Sequence, residues 1–244
     1  MRLAARLTSP ADLTPGQLDE MFDLMTKHYA NVRRDIFETD LAEKTWTIVL
    51  TDLGGGAIRG FSTQVLLETE NAHGRVTALF SGDTIIDRER WGDSALAGVW
   101  GRLALSLIDA DPDAELYWFL LSKGYKTYRF LPLFFREFYP RLDTATPTRV
   151  RRIRDALASA RYPADYDARA GIVRTGPWQY RLRDGLADIT PERLRDPQIR
   201  FFQEQNPGHV HGDELCCLAP LTRANFTPAA YRVIGREPDL LVLT

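Results

Sequence analysis

Apolar residues recur along this chain with two spacings, and the switches between them divide it into elements. Over residues 13–32, Leu18, Met21, Phe22, Met25 and Tyr29 return every three or four positions, the stripe of an amphipathic helix. Asp12 or Thr14 can cap it, and Pro15 suits its first turn. A second, shorter helix is expected over 35–44, with Phe37 and Leu41 on one face. The period then shortens. Residues 45–51 (TWTIVLT), 58–68 (IRGFSTQVLLE) and 76–86 (VTALFSGDTII) are rich in β-branched and aromatic side chains. Turns at 54–56 and 71–74 separate them, which predicts an antiparallel meander of three strands. After Gly92 the helical period returns over 93–108, carried by Leu96, Val99, Trp100, Leu103 and Leu107. Residues 115–122 (ELYWFLLS) form an apolar strand of the kind buried on both faces. A helix around Phe130, Leu131, Phe134, Phe135 and Phe138 is expected over 128–139.

The strand–helix–strand unit within 76–122 implies a local parallel pair. The fold class is therefore α/β, a mixed α+β sheet with helices on both faces. The stretch 144–148 (TATPT) marks a boundary between a core, 1–144, and a C-terminal extension, 145–244, packed on or completing that core. The extension holds a basic amphipathic helix over 149–160, a helix around 191–204 and a strand over 214–221.

Composition narrows the function classes. The 244 residues are 44% apolar, enough for one large core or two small ones. With 31 basic against 33 acidic residues the net charge is −2, which argues against nucleic acid as a partner. No run approaches the roughly 18 apolar residues of a membrane span, and the first ten residues hold no secretory apolar stretch. The two cysteines, Cys216 and Cys217, are adjacent and make no disulfide framework, so a cytoplasmic protein is expected.

The order of elements, with SGDTIIDRERWGDSAL (81–96) leading into the long helix, resembles the GNAT superfamily of N-acyltransferases over about residues 1–142. That family's donor loop reads Arg or Gln, two residues, Gly, one residue, Gly or Ala. Here Gly92 and Ser94 match the end of the pattern, Glu89 stands where Arg or Gln is expected, and Arg88 and Arg90 flank it. ELYWFLLSKGYKTYRFLPLFFREFYP (115–140) looks like the family's later strand and helix, where the strand splays to admit the donor's pantetheine arm. The resemblance implies a GNAT-like acyltransferase that moves an acyl group from a coenzyme A or acyl-carrier-protein thioester to a small-molecule amine by direct attack. No metal is expected. The irregular loop fits members that take acyl chains from an acyl carrier protein, and a homodimer stays open. A fold of this kind that binds acyl thioesters without chemistry is the alternative.

Acyl transfer needs the donor phosphates gripped and protons moved. A helix amino terminus offers free N–H groups and positive potential to a phosphate. Arg88, Arg90, Trp91, Gly92, Asp93 and Ser94 are the candidate donor-binding residues; the plainer reading is that Asp93 caps the helix, Gly92 turns the chain and the arginines are solvated. Gly82 suggests a bulge or a close approach of backbone. Asp83, polar within an apolar strand, is a candidate general base or a residue of a turn. Tyr128 resembles the family's general acid, with Tyr125 nearby; both could instead be aromatics covering the sheet edge. Lys123 and Lys126 could meet donor phosphates. In NPGHVHGDELCC, His211 or His209 could bind the acceptor or take its proton. A metal enzyme built on His209, His211 and Glu214 is a further alternative, weakened because no later histidine completes a ligand set. The arginines of 149–161 could dock an acidic carrier protein or simply face water.

Overall fold

The protein's structure, a computed structural model, describes residues 3–54, 56–71, 74–176, 179–183, 185–186 and 188–235; Gly55, Ala72 and His73, in two of the expected turns, lie outside the described residues. The strands are β1 (Leu3–Thr8), β2 (Tyr29–Ala30), β3 (Trp46–Asp52), β4 (Ile58–Asn71), β5 (Gly74–Ile86), β6 (Glu115–Ser122), β7 (Tyr166–Asp167), β8 (Ile172–Val173), β9 (Arg181–Leu182) and β10 (Glu214–Pro220). The α-helices are α1 (Pro15–His28), α2 (Arg34–Ala42), α3 (Ala95–Ala110), α4 (Tyr125–Tyr128), α5 (Phe130–Phe134), α6 (Thr148–Arg161), α7 (Pro197–Gln205) and α8 (Pro228–Ile234). None is long and apolar enough to cross a membrane, among the described residues.

One eight-stranded mixed sheet runs β1-β3-β4-β5-β6-β10-β8-β7, with helices on both faces. The expected meander is β3, β4 and β5, and the expected parallel pair is β5 with β6. Strand alternation decides what each face holds. Leu79, Trp118, Leu120 and Cys217 point to the side of α3, α4, α5, α7 and α8. Val49, Phe61 and Ile85 point to α1 and α2, and Ala78, Phe80, Phe119 and Cys216 to α6. After Thr144 the chain returns to the sheet, where β10 pairs antiparallel with β6 from Leu215↔Ser122 to Pro220↔Tyr117.

Local chemistry explains most of the boundaries. Thr14 and Gln17 form a capping box around Pro15, so α1 begins there. It stops at His28, short of the expected residue 32, because Tyr29 and Ala30 pair with β9 and Asn31 takes a left-handed φ of 63°. β1 was not expected. Its arginine interrupts the apolar pattern, yet Leu3 and Ala5 face the core. The helix expected over 128–139 is instead two short helices and an extended stretch. Pro132 lies within α5, and beyond it Tyr139 exchanges backbone hydrogen bonds with Leu218 of 2.7 and 2.8 Å, so pairing with β10 replaces the helical ladder.

One irregularity positions the site. β5 and β6 pair from Val76↔Glu115 to Ser81↔Leu120 and then part. Past that point β5 stays with β4 as far as Ile86↔Gly60, while β6 stays with β10. At the parting β5 bulges, because Gln64 faces Ser81 and Ser62 faces Thr84, leaving Thr63 opposite both Gly82 and Asp83. Glycine is required there: a Cβ on Gly82 would sit 2.6 Å from Thr63 Oγ1 and 3.0 Å from Lys44 Cε. A buried chain of hydrogen bonds holds the bulge. Trp118 Nε1 donates to Ser81 Oγ (2.9 Å), Ser81 Oγ to Gln64 Oε1 (2.6 Å), and Gln64 Nε2 to Ser62 Oγ (2.7 Å).

Candidate active site

A cavity of about 1200 Å³ occupies the gap between the parted strands and is lined from both faces of the sheet. On the α3 side its walls include Trp91, Gly92, Asp93, Ser94, Ala97, Tyr125 and Lys126. On the α1–α2 side they include Met25, His28, Tyr29, Val32 and Phe37. Gly82, Asp83, Leu120 and Leu121 lie between.

The start of α3 keeps part of its hydrogen-bonding capacity. Gly92 makes the approach turn with φ of 98°, where a side chain would be strained. Asp93 caps the helix: its Oδ1 accepts from Ala95 N (2.8 Å), and its Oδ2 accepts from Leu3 N (3.0 Å), which ties α3 to β1. Asp93 therefore has the plainer role, with both carboxylate oxygens engaged by backbone N–H groups. The helical ladder begins at Gly98 N, which donates to Ser94 O (2.9 Å). The amides of Leu96 and Ala97 thus precede the ladder, and the Ser94 side chain makes no capping bond to them.

The arginines flanking this loop part company. Arg88 is exposed, with its guanidinium 5.4 Å from the centre of the Trp91 ring; Lys126 Nζ lies 3.4 Å from the same ring. Burial lowers the Lys126 pKa, and the neighbouring charges of Arg88 and Arg193 lower it further. Cations held together without a carboxylate between them make a site for an anion. Neither arginine lines the cavity itself; Arg88 stands beside Trp91, which does, whereas Arg90 turns away. It pairs with Asp52, at the end of β3, at 2.8 Å. Arg90→Ala is expected to cost about 1 kcal/mol of stability and to leave coenzyme A affinity unchanged, as read by melting and by titration.

Asp83 is carried into the cavity by the bulge. Burial, then the nearby Asp40 charge, pushes its pKa up to about 6, against the opposing pull of Lys123 and of the Tyr180 hydroxyl. Tyr180 donates to Asp83 Oδ1 at 3.0 Å and stacks edge-on against Tyr29, with ring centres 5.4 Å apart. The Asp83 charge, followed by burial, drives the Tyr180 hydroxyl well above its ordinary range. Lys123 bonds Glu214 and lies 4.0 Å from the Tyr180 ring centre. Tyr180 and Glu214 both come from the chain after Thr144, which therefore furnishes part of the site.

Tyr128 is not in the cavity. It is 0% exposed, packs 5.7 Å from Phe202, and donates to Pro140 O at 3.1 Å. A core hydroxyl held by a carbonyl is not placed to protonate a leaving thiolate. Tyr128→Phe is expected to cost about 1 kcal/mol of stability and to leave turnover unchanged. Tyr125, one turn earlier, lines the cavity. His211 is also elsewhere. The HVH segment forms a single 3-10 turn, with His211 exposed and His209 buried against Phe202. Glu214 faces Lys123, and no three metal-ligating groups come together among the described residues. The adjacent thiols alternate between the two faces, and burial holds both pKa values well above the ordinary cysteine range. On α6, Arg149, Arg154 and Arg161 engage acidic groups of the chain itself. The helix covers the face opposite α3, so a carrier docked on it would stand away from the α3 end.

No protein-family model matches the chain. No curated protein matches it. Solved structures do resemble it. One is a conserved protein of unknown function from Enterococcus faecalis, named as a probable N-acyltransferase, at 14% identity over 57% of this chain and 33% of that one, with a TM-score of 0.42. A GCN5-related N-acetyltransferase from Kribbella flavida matches at 14% identity over 56% of this chain and 34% of that one, TM-score 0.40. The present chain thus spans about a third of the length of these two. A GNAT family N-acetyltransferase from Escherichia coli, in complex with CoA, is similar at 13% identity over 53% of this chain and 68% of that one, TM-score 0.36.

Proposed function

We propose that the protein is an N-acyltransferase that binds a coenzyme A thioester on the α3 side of the sheet and a small amine on the α1–α2 side, joining them through the gap between β5 and β6. The observation that carries this reading is the parting of the parallel strands after Ser81 and Leu120, with one cavity reaching both faces through it. A thioester threaded through such a gap meets its acceptor end-on, which sets the reacting atoms without a covalent enzyme intermediate.

The roles follow from position. The free amides of Leu96 and Ala97, with Arg88 and Lys126, hold the donor's phosphates. This cluster of cations suits the several phosphates of coenzyme A better than the single phosphate of a carrier protein's arm. The neutral amine attacks the thioester carbonyl, the C–N bond forms as the C–S bond breaks, and the departing thiolate gains a proton. Asp83, ionised above pH about 6, takes a proton from the nitrogen. Tyr125 rather than Tyr128 is the hydroxyl placed in the cavity to protonate the thiolate. The reading is tested by titrating coenzyme A into the protein and by following thiol release from acetyl-CoA with a panel of amines. Binding together with amine-dependent release supports it; binding without release from any amine or acyl length reduces the protein to a thioester-binding module.

A further inference from the structure

His28 closes α1 and lines the acceptor side of the cavity. It is 8% exposed, and its Nδ1 lies 3.0 Å from Leu24 O. A carbonyl oxygen only accepts, so Nδ1 carries a proton, and in the neutral imidazole Nε2 then holds the lone pair. That Nε2 is buried and has no hydrogen-bond partner. A buried polar atom without a partner is costly, and persists where a ligand supplies the partner. The wall around it is apolar or aromatic: Met25, Tyr29, Val32, Phe37 and Tyr180. Charged and titratable groups also face this chamber from each packed element. They are Tyr29 beside it, Arg33 before α2 and Asp40 within it, Asp83 of β5, Lys123 after β6, Arg161 of α6 with Tyr162 and Asp165 after it, Tyr180 before β9 and Glu214 of β10. Arg183 donates its backbone N–H to His28 O at 2.9 Å and its Nε to Thr26 O at 2.9 Å, which pins the end of α1.

The chemistry of amide formation asks for a second proton acceptor. An alkylamine is an ammonium at neutral pH, so two protons leave its nitrogen before the amide is complete. The first frees the lone pair. The second leaves once the C–N bond has formed, while the thiolate departs and is itself protonated. We propose that His28 Nε2 takes the first proton from the bound ammonium and Asp83 the second, and that the acceptor is a primary amine on an apolar or aromatic body. This rests on the acyl-transfer reading above. Resting His28 is restored when the imidazolium releases its proton to solvent after turnover; Asp83 returns its proton, through solvent, to the Tyr125 phenolate left by protonating the thiolate, so one proton is released per cycle and the balance closes.

Two amines of similar size separate this role from a structural one. Phenethylamine is protonated at neutral pH; O-benzylhydroxylamine is already neutral, because its adjacent oxygen withdraws electrons. With acetyl-CoA as donor and thiol release as the readout, His28→Gln is expected to lower kcat/KM for phenethylamine by about 10²-fold, the size of a general-base effect. It should lower O-benzylhydroxylamine turnover by no more than a few-fold and leave coenzyme A affinity unchanged. Equal losses with both amines, or no loss with either, overturn the proposal while leaving acyl transfer standing. If the wild-type protein turns over neither amine, the acceptor class is wrong. A second measurement does not depend on turnover or on a variant. In protein labelled with ¹⁵N-histidine, phenethylamine should shift His28 Nε2 from the unprotonated towards the protonated range. A resonance unmoved by millimolar amine contradicts the assignment.

Discussion

Asp83→Asn is expected to lower kcat by about 10²- to 10⁴-fold, the range spanned by removal of a general base. Asparagine keeps the size of the side chain and a hydrogen-bonding partner for Tyr180, so the bulge at Gly82 should survive. The pH dependence carries the sharper signature. In the wild-type protein, activity should rise with pH through about 6, because the carboxylate must be ionised to accept a proton. The variant's residual activity should lack that inflection. Stability moves the other way. The folded pKa of about 6 exceeds the ordinary 3.8, so the folded state binds this proton more tightly than the unfolded chain does. Its stabilising effect is complete below about pH 3.8 and is lost as pH rises through about 6. Asp83→Asn should flatten that part of the stability profile. Thermal melts at several pH values, run beside the kinetics, therefore read one group twice with opposite signs.

Removing the two cations around Trp91 should have the next largest effect. The double variant Arg88→Ala, Lys126→Ala is expected to raise the donor's KM by about 10²-fold, while kcat at saturating donor changes little. Charge-assisted contacts are worth about 1.5–3 kcal/mol each, discounted here because Arg88 is exposed. Salt should mimic the substitution, since exposed charges are screened. Wild-type donor affinity should fall with ionic strength, and the variant's should hardly respond. Equal KM values for the two proteins would remove these residues from the donor site.

Much of the sheet was legible because its elements bury one face and so carry a period. β3, β4, β5 and β6, together with α1 and α3, follow from apolar spacing and from turn or capping residues such as Thr14 and Gly92. Two failures have physical causes. Tyr128–Tyr139 has helical spacing, but its backbone finds partners on β10, a strand some eighty residues later, and local pattern cannot report a distant ladder. β1 hides because a six-residue edge strand with Arg6 within it shows too little alternation.

The candidate site was legible where cavity-lining residues lie next to structural punctuation. Gly82 and Asp83 interrupt an apolar strand, and Gly92 with Ser94 opens a helix; both segments line the cavity. It was illegible where side chains meet only through approach in space. Tyr180 sits in an aperiodic stretch, GPWQYRLRDG, and nothing local announces its contact with Asp83, 97 residues away in sequence. His28 reads as one more residue of the amphipathic stripe of α1, and its unpartnered nitrogen exists only in the folded chain. Arg90 and Tyr128 mislead for the converse reason. Sequence puts Arg90 beside the expected donor-loop position and Tyr128 just after the later strand, but Asp52 and Pro140 engage them.

The central claim is that a phosphate-bearing thioester lies against the start of α3, and the backbone amides of Leu96 and Ala97 report on it directly. Titration of the ¹⁵N-labelled protein with coenzyme A should move both resonances together and saturably, with those of Ser94 and Lys126 following. Coenzyme A that fails to bind, or binds while these amides stay fixed, contradicts the account.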